Sequence, residues 1–441
     1  MKKLLFTFSL LLTMSSASAQ KVLSLKDCLK IGIENNLSLK SSRNEVTKGK
    51  HNISENRARL LPQINFAAGF NDNFTPPVSV TDGTAYGKLY NVTKTLQYNS
   101  SASLQLQMPL YSQTALTAVE IAKTLDNLNQ LSYEKAREDI IMQIAKLYYL
   151  IQNTTEQIAI IGDNLKRFEE LKKFAQAFYD NQMALGVDLK RINVRIESTD
   201  VSLANAKAML REQYNMLKYA MDYPADEEIL VEVKHVDDIN MAAQSGLNAN
   251  LYELQLMRTQ EKLTEQQVKL AKAAYLPTIA LTGNFTFSAY TDKFKNWFHS
   301  GESNHWYDSN GLGISLRVPV FDGFEKRSKI RKAKIDADNA RIAYENTLKN
   351  LQTQYSNAVN DQLNNERNYR KQRDNYRLAE DIYKVTMDRY REGVTSMVEV
   401  LQDEMSMSEA QNNYLTAHYN YEVSNLAVLK LTGGLNSLVE N

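Results

Sequence analysis

The chain has 441 residues, with 52 Lys and Arg against 51 Asp and Glu. A balance this close to zero excludes recognition of nucleic acid by a strongly basic surface. The single cysteine, Cys28, excludes a disulfide framework. The length alone predicts two or three globular domains, but the placement of the glycines and of only seven prolines argues against that division.

The first residues predict a secretory signal peptide. The apolar run 4–12 lies between the charged pair Lys2 and Lys3 and the small-residue pattern 17–19, so cleavage is expected after Ala19. The run is too short for a membrane anchor, and no stop-transfer charges follow it. No later apolar run approaches the roughly 20 residues of a spanning helix, so any membrane-embedded part is expected to consist of strands.

A long helical hairpin is predicted in the last quarter of the chain. Residues 324–392 contain no glycine or proline, and aliphatic residues and Tyr recur in them every three or four positions. At ~1.5 Å per residue this helix would be about 100 Å long. Gly393 can adopt the left-handed conformation that ends a helix, and helical spacing resumes over 394–431. A rod of this length indicates a protein that bridges a distance.

The first half contains a matching hairpin. Its long helix covers 111–185 and turns at Gly186, and its return helix reaches Tyr223. Gly186 and Val187 align with the glycine turn of the second half. Since the two halves repeat one plan, the boundaries are a signal peptide 1–19, a first repeat 20–223, a connector 224–245 and a second repeat 246–441.

Prolines mark equivalent places in the two halves. Pro277 lies 215 residues after Pro62, and each follows a helical segment and opens an alternating one. Pro319 lies 210 residues after Pro109, and each closes an alternating segment before a long helix. The order in each copy is helix, strand, loop, strand, long helix, turn, helix, a period far longer than that of a solenoid.

Alternation of apolar and polar residues predicts four strands, each with one apolar and one polar face. They are expected at about 63–74, 97–110, 277–289 and 311–321. Two interpretations are open: half-buried hairpins packed on helices of a soluble domain, or a transmembrane barrel with a wet lumen. The signal peptide and the absence of helices able to cover the strands favour the barrel. Four strands cannot close and open edges are not tolerated in lipid, so a barrel requires an oligomer, with eight strands in a dimer or twelve in a trimer.

Two polar segments, 72–96 and 290–309, are predicted as loops between paired strands. The second contains aromatic residues that suit either an interfacial girdle or a packed loop, namely Trp297, Phe298 and Trp306. His299 and His305 are six residues apart without a third ligand nearby, so no metal site is predicted.

These features resemble the outer-membrane efflux protein family, also called the TolC family. The resemblance rests on the junction 318–323 before a long helix, on the turn 389–401 and on the opening segment 23–36, and it covers essentially the whole mature chain. Two departures stand out: Ser112-Gln113 replaces an Asp-Gly pair in the first copy, and Phe324 replaces a second glycine.

The resemblance implies a mainly α fold with a membrane β-barrel portion. In a homotrimer, each chain would give four strands to a twelve-stranded barrel in the outer-membrane lipid of a Gram-negative bacterium, and internally duplicated helical hairpins to a periplasmic α-barrel. The implied function is a passive exit duct of a tripartite efflux or type I secretion system, without a cofactor. The implied partners are a periplasmic adaptor (membrane fusion) protein and, through it, an inner-membrane RND, ABC or MFS transporter.

The resemblance also implies a gate at the helical tips. Tyr390 matches a linking tyrosine and Glu399 a ring carboxylate, whereas the second ring position falls on Gln402, with Asp403 next to it. A packed tyrosine and a solvated helix face are equally open interpretations of the first two residues. Three copies of Glu399 around an axis would repel one another and attract cations, which is the hypothesis for the constriction. The residues implied to dock the adaptor are Leu185, Gly186, Val187, Arg389, Gly393, Val394 and Thr395.

Enzymatic classes find no support in the sequence. It contains no Ser-His-Asp grouping, no glycine-rich phosphate loop and no Cys/His cluster, and its five histidines are dispersed. The competing interpretation is a soluble periplasmic coiled-coil scaffold or adaptor. Such a protein would need a compact β-rich domain between its helices and would not repeat its whole plan twice.

Overall fold

The computed structural model describes residues 21–82, 84–233, 246–295 and 305–440. The predicted signal peptide 1–19, part of the connector (234–245) and the loop residues Trp297, Phe298 and His299 lie outside the described residues. The helices and longer strands, in chain order, are β1 (Lys21–Leu23), α1 (Leu25–Asn35), α2 (Leu37–Ala58), β2 (Gln63–Asp72), β3 (Val78–Asp82), β4 (Tyr90–Lys94), β5 (Tyr98–Tyr111), α3 (Gln113–Asp180), α4 (Gly186–Met221), β6 (Ile229–Val231), α5 (Tyr252–Ala273), β7 (Thr278–Thr291), β8 (His305–Arg317), α6 (Glu325–Arg391), α7 (Met397–Leu431) and α8 (Ser437–Glu440).

The fold divides into two compact units. One comprises Met1–Arg43, Leu131–Gln255 and Asn346–Asn441, and the other comprises Asn44–Gln130 and Leu256–Glu345. The first unit contains the helical cores and the small parallel sheet β1–β6, and the second contains the large sheet. None of the helices in the described ranges has the length and apolarity needed to cross a bilayer.

The large sheet has four antiparallel strands in the order β2-β5-β7-β8. Its register keeps apolar side chains on one face, as in the row Ile64, Leu106, Gly283 and Leu312. Among the described residues, β2 pairs only with β5 and β8 only with β7, so both outer strands have an open edge.

The opposite face of the sheet is polar. The adjacent row reads Gln63, Gln107, Thr282 and Gly313. Both faces follow from the two-residue period of the sequence, because neighbouring residues of a strand point to opposite sides. In the part of the chain that the structure describes, the apolar face is largely uncovered, and Phe66 is 69% exposed on it.

The ends of the sheet differ from the prediction. The strand expected at about 311–321 lies at His305–Arg317, so Trp306 belongs to a strand rather than to the loop and stacks on Phe287 at 5.7 Å between ring centroids. The segment 318–321 is not a strand, because β7 begins at Thr278, opposite Arg317, and offers no partner beyond it. The first loop contains an unpredicted hairpin of β3 and β4, in which Val80 lies opposite Val92.

At the start of both long helices, a side-chain oxygen from the preceding residues accepts a hydrogen bond from an N–H group of the first turn. Ser112 Oγ accepts a hydrogen bond from Ala115 N at 3.3 Å, and Asp322 Oδ2 accepts one from Lys326 N at 3.1 Å. Serine and aspartate are both preferred helix caps, so the departure from the Asp-Gly pair at Ser112 preserves the local structure. Phe324 has a φ of 67°, the left-handed region that a second glycine would occupy without strain.

One apolar core of the first unit surrounds Cys28, which is 0% exposed and packs with Leu29, Ile144 and Leu217. Burial raises the pKa of the Cys28 thiol to about 12, so the thiol stays protonated and unreactive at neutral pH. Cys28 therefore acts as a small apolar side chain.

Both helical hairpins turn through the same hydrogen-bond pattern. Gly393 N donates to Tyr390 O at 3.0 Å and Val394 N to Arg389 O at 2.9 Å, which is a Schellman cap with Gly393 at φ 75°.

In the first hairpin Gln182, at φ 62°, takes the left-handed position, with Gln182 N donating to Tyr179 O at 2.9 Å and Met183 N to Phe178 O at 2.7 Å. The predicted turn at Gly186 was therefore misplaced. Gly186 is the first residue of α4, and the structural equivalent of Gly393 is Gln182. The glycine signal is missing there because a glutamine occupies the strained position.

Replacing glycine with alanine should change the local stability in opposite directions at two positions. Gly393→Ala forces a Cβ into the left-handed region and should destabilise the tip by about 1 kcal/mol. Gly162→Ala, inside α3 with open space around the added Cβ, should stabilise its helix by roughly 0.5–1 kcal/mol. Native-state hydrogen exchange of the amides around each position measures both, and effects of the same sign would contradict this account.

Candidate functional site at the helical tips

The ends of α3 and α6 and the starts of α4 and α7 share one apolar cluster in the first unit. Its members come from all four helices: Phe168, Leu171, Ala175, Ile192, Tyr383, Met387, Tyr390, Met397, Val400, Leu401 and Met407. Because both hairpins contribute, separating their tips would expose this cluster to water at a cost that grows with the apolar area uncovered.

Tyr390 lies inside this cluster rather than on its surface. It is 4% exposed, and its ring centroid is 5.4 Å from that of Phe178. Its buried hydroxyl has no hydrogen-bond partner among the described residues. Burial and the carboxylate of Asp188 raise the pKa of Tyr390 to about 12, so the hydroxyl is protonated at neutral pH and is available as a donor.

Asp188 was missed by the sequence analysis. It lies in the first turn of α4 and pairs with Arg191, with 3.0 Å between Asp188 Oδ1 and Arg191 Nη1. An acidic residue in a first turn is common because it offsets the helix dipole. Nothing in the sequence therefore set Asp188 apart from an ordinary helix start.

Glu399 is bound within its own tip. Its backbone N donates to Ser396 Oγ at 3.3 Å, and Thr395 donates its hydroxyl to the Glu399 carboxylate. Arg389 Nη1 lies 3.9 Å from Glu399 Oε1, and both side chains are about half exposed. A helix N-terminus and a nearby guanidinium both offset the charge of this carboxylate. Its role in a ring of three copies stays a prediction.

Asp403 and Gln402 have different surroundings. Thr386 Oγ1 donates to Asp403 Oδ2 at 2.6 Å, and this bond ties α6 to α7. Gln402, one residue earlier, is exposed. Within the chain, Asp403 therefore holds the hairpin together, and Gln402 is the one of this pair that is accessible to a neighbour or to solute.

The residues predicted to dock a partner include several exposed apolar side chains. Leu185 is 70% exposed, Val394 62% and Val187 45%. Met183 and Val398, which the sequence analysis did not select, are 68% and 55% exposed at the same turns. Apolar side chains concentrated at two neighbouring turns are unusual for a surface that meets only water.

Further along α7, two glutamates that the sequence analysis passed over are buried. Glu404 is 6% exposed, and burial raises its pKa to about 7 against the opposing field of Arg195 and Arg167. Glu422 is 4% exposed, and burial raises its pKa to about 7 as well.

The two glutamates have different neighbours. Glu422 Oε1 lies 3.7 Å from His418 Nε2, whereas its Oε2 has no hydrogen-bond partner among the described residues. Neither glutamate is distinguishable in the sequence from the solvated acids around it.

Replacing Glu422 with glutamine should stabilise the helical unit in a pH-dependent way. A raised pKa means that the folded state favours the neutral acid, so stability is full below about pH 4.5 and is lost as the pH rises through about 7. The gain of Glu422→Gln should therefore be small at pH 4.5 and reach up to ~3 kcal/mol at pH 8.

Thermal unfolding followed by circular dichroism at both pH values measures this gain. Glu409→Gln, at an exposed position of the same helix, is the matched control and should show no such difference. An equal shift of the unfolding midpoint at both pH values for Glu422→Gln would contradict the assignment.

Comparisons with known proteins agree with this architecture. The sequence model described as "Outer membrane efflux protein" matches residues 31–221 and again 245–434. The outer membrane protein TolC of Escherichia coli is 20% identical over 87% of this chain and 77% of its own length, and the proteases secretion protein PrtF of Dickeya chrysanthemi is 20% identical over 82% and 78%. The crystal structure of the outer membrane protein VceC from Vibrio cholerae superposes with a TM-score of 0.76 at 17% identity, covering 93% of this chain and 96% of that one.

The soluble scaffold considered as an alternative is set aside, because the family that matches both halves is one of outer-membrane proteins. The resemblance seen in the sequence is thereby confirmed. The chain belongs to the outer membrane efflux protein family and is an exit duct for efflux or type I secretion in the outer membrane of a Gram-negative bacterium, with an extended periplasmic helical part.

Proposed function

We propose that three copies of the chain close a twelve-stranded barrel in the outer membrane. The observation that carries this proposal is the four-stranded sheet with one apolar face, one polar face and open edges at β2 and β8. Because the strand directions alternate, β8 of one copy can pair antiparallel with β2 of the next, and each further copy repeats the arrangement. The apolar face would then contact lipid, and the polar face would line water.

Three copies fit an exit duct better than two. Two copies would give eight strands, whose interior is just wide enough to be filled by side chains. A duct for solutes or secreted proteins needs an open lumen, which twelve strands allow. Two rows of the polar face that would line the lumen carry only uncharged side chains, so hydrated solutes of either charge can pass. One row is Gln63, Gln107 and Thr282, and the other is Asn65, Gln105 and Asn284.

The proposed duplication, with repeats at 20–223 and 246–441 around a connector 224–245, is supported by two observations. The family model matches once in each half, and both halves contain two long strands followed by a long helix and a return helix. The equivalent Schellman caps at Gln182 and Gly393 add a third similarity at the level of single hydrogen bonds.

The partner proposed for the tips is a periplasmic adaptor that links the duct to an inner-membrane RND, ABC or MFS transporter. Exposed Met183 and Leu185 at one turn and Val394 and Val398 at the other offer an apolar surface for such a partner. A passive duct has no energy source of its own, so transport must be driven elsewhere.

The gate proposed at the tips involves Tyr390, Glu399, Gln402 and Asp403. Within the chain the Thr386–Asp403 hydrogen bond ties α6 to α7. The Tyr390 hydroxyl, a donor without a partner among the described residues, is assigned to a link with a neighbouring copy in the closed state. Opening would expose the apolar cluster, and adaptor contacts at the turns would have to supply that free energy.

Two neighbouring substitutions on β5 test the barrel. Leu104→Arg places a charge on the apolar face, at a cost of ~2–4 kcal/mol near the middle of a bilayer, and should reduce the amount of assembled protein in the outer membrane. Gln105→Arg points to the opposite face and should assemble normally but lower the conductance for cations in planar bilayers. Unheated gel migration and membrane fractionation report assembly. Recovery of both variants in equal amounts in the outer-membrane fraction would argue against the barrel.

Removing the Tyr390 hydroxyl tests the gate. Tyr390→Phe eliminates a buried group that has no partner among the described residues, so folding of the chain should be unchanged or favoured by about 1 kcal/mol. Because the variant also loses the proposed link to a neighbouring copy, the open probability in planar bilayers should rise. Tyr383→Phe, in the same cluster, is the matched control and should leave gating unchanged. Wild-type open probability in Tyr390→Phe would remove this hydroxyl from the gate.

A further inference from the structure

A cavity of about 330 Å³ lies between α3, α4 and α7 in the helical unit. This volume is within the range of small-molecule sites, about 300–1,000 Å³. Glu404, Ser408 and Asn412, spaced four residues apart, present one face of α7 to it. Ser202 and Asn205 of α4 contribute further hydroxyl and amide groups.

The charge in this cavity has no direct partner. The Glu404 side chain is more than nine-tenths buried, and among the described residues its carboxylate takes part in no hydrogen bond and no ion pair. Arg167 and Arg195 act on it only at longer range, and Arg167 donates instead to the Asn164 side chain. A buried carboxylate that is ionised without a counter-ion is costly, and a bound cation would remove that cost.

The remaining lining of the cavity is part apolar and part polar, and the polar part consists of the uncharged side chains of Gln157, Asn164, Thr199 and Gln411. Ile160 and Ile161 line it from α3, and Ala206 and Met209 line it from α4. A metal ion would find a single carboxylate here, and no group of three potential metal-ligating acids, histidines or cysteines occurs among the described residues. Hard metal ions take several oxygen ligands, usually with more than one carboxylate. An organic ammonium ion needs only one carboxylate, neutral oxygens for its remaining N–H groups, and an apolar wall for its carbon chain.

We propose that this cavity binds a small organic ammonium ion, with Glu404 as its counter-ion. The polar groups of Ser408 and Asn412 accept hydrogen bonds from the ammonium group, and the isoleucines of α3 contact its hydrocarbon part. The two arginines at longer range oppose a bound cation, so the site is weak and releases its ligand readily. This inference concerns the helical unit and does not depend on the barrel or the gate.

Saturation-transfer NMR with n-butylammonium as the probe tests the proposal on the purified, assembled protein in detergent. Glu404→Gln keeps the shape of the side chain and should weaken binding at pH 8 by at least tenfold. The exposed Glu409→Gln should change the affinity less than twofold. The neutral probe n-butanol should bind the wild type and Glu404→Gln alike.

The pH dependence gives a second readout. Because burial raises the pKa of Glu404 to about 7, its ionised fraction falls about tenfold from pH 8 to pH 6, and the affinity of the wild type should fall with it. Glu404→Gln should lose this dependence. If Glu404→Gln does not assemble, Ser408→Leu fills the cavity while leaving the carboxylate in place and should abolish binding. Equal affinity of wild type and Glu404→Gln, or no binding to the wild type at pH 8, would overturn the proposal.

Discussion

In hydrocarbon, a backbone N–H or C=O group without a partner costs several kcal/mol, and the four-stranded sheet of this chain leaves two rows of such groups at the edges of β2 and β8. Neither edge has a partner strand among the described residues, so in the barrel proposed above membrane insertion would be coupled to assembly. A single chain in lipid would leave the edge N–H and C=O groups of β2 and β8 unpaired, although its helical unit has cores of its own. In the trimer proposed above, this constraint requires an oligomer, the width of the lumen sets the number of copies at three, and the copies share one axis.

The junctions between the strands and the long helices limit the directions in which the helices can leave the sheet. α3 starts directly after β5, and seven residues separate α6 from the end of β8. Ser112 or Asp322 satisfies an orphan N–H group of the first turn of each helix. A capped start leaves little freedom between strand and helix. The direction of a helix about 100 Å long is sensitive to such freedom, because a small change of angle at its start moves its far end by many ångströms. The strained φ of Phe324 at one junction shows that this geometry is retained at a cost.

Periodicity was sufficient to predict the strands and long helices, because a two-residue or 3.6-residue repeat over many positions leaves few alternatives. Periodicity failed to predict features that depend on one or a few residues, such as the position of a turn. The turn assigned to Gly186 lies at Gln182, since tertiary structure can hold a non-glycine residue in the left-handed region. The extra hairpin of β3 and β4 was hidden in a polar segment whose alternation covers only a few residues. The burial of individual acidic residues also cannot be predicted from the sequence. Glu404 is buried and Glu409 is exposed, although the two residues are only five positions apart on one helix.

The polar residues buried along α7 lower the free energy that this helix gains from packing, compared with a helix that buries only aliphatic side chains. Glu404, Gln411 and Glu422 are each less than a tenth exposed, where a helix selected only for stability would bury aliphatic side chains. Gln411 is satisfied by Asn164 of α3, but the two glutamates contribute little to packing and favour their neutral forms. Burying a carboxyl group gains less free energy than burying a leucine of similar size. The middle of α7 therefore combines buried polar groups with apolar ones such as Leu415, whereas at its tip Met397, Val400 and Met407 enter a cluster that is wholly apolar apart from the Tyr hydroxyls. In the tube proposed above, a partner that competes for the apolar cluster would act at the tip alone, because Leu415, Leu426 and Val428 hold the far part of α7 by apolar packing of its own.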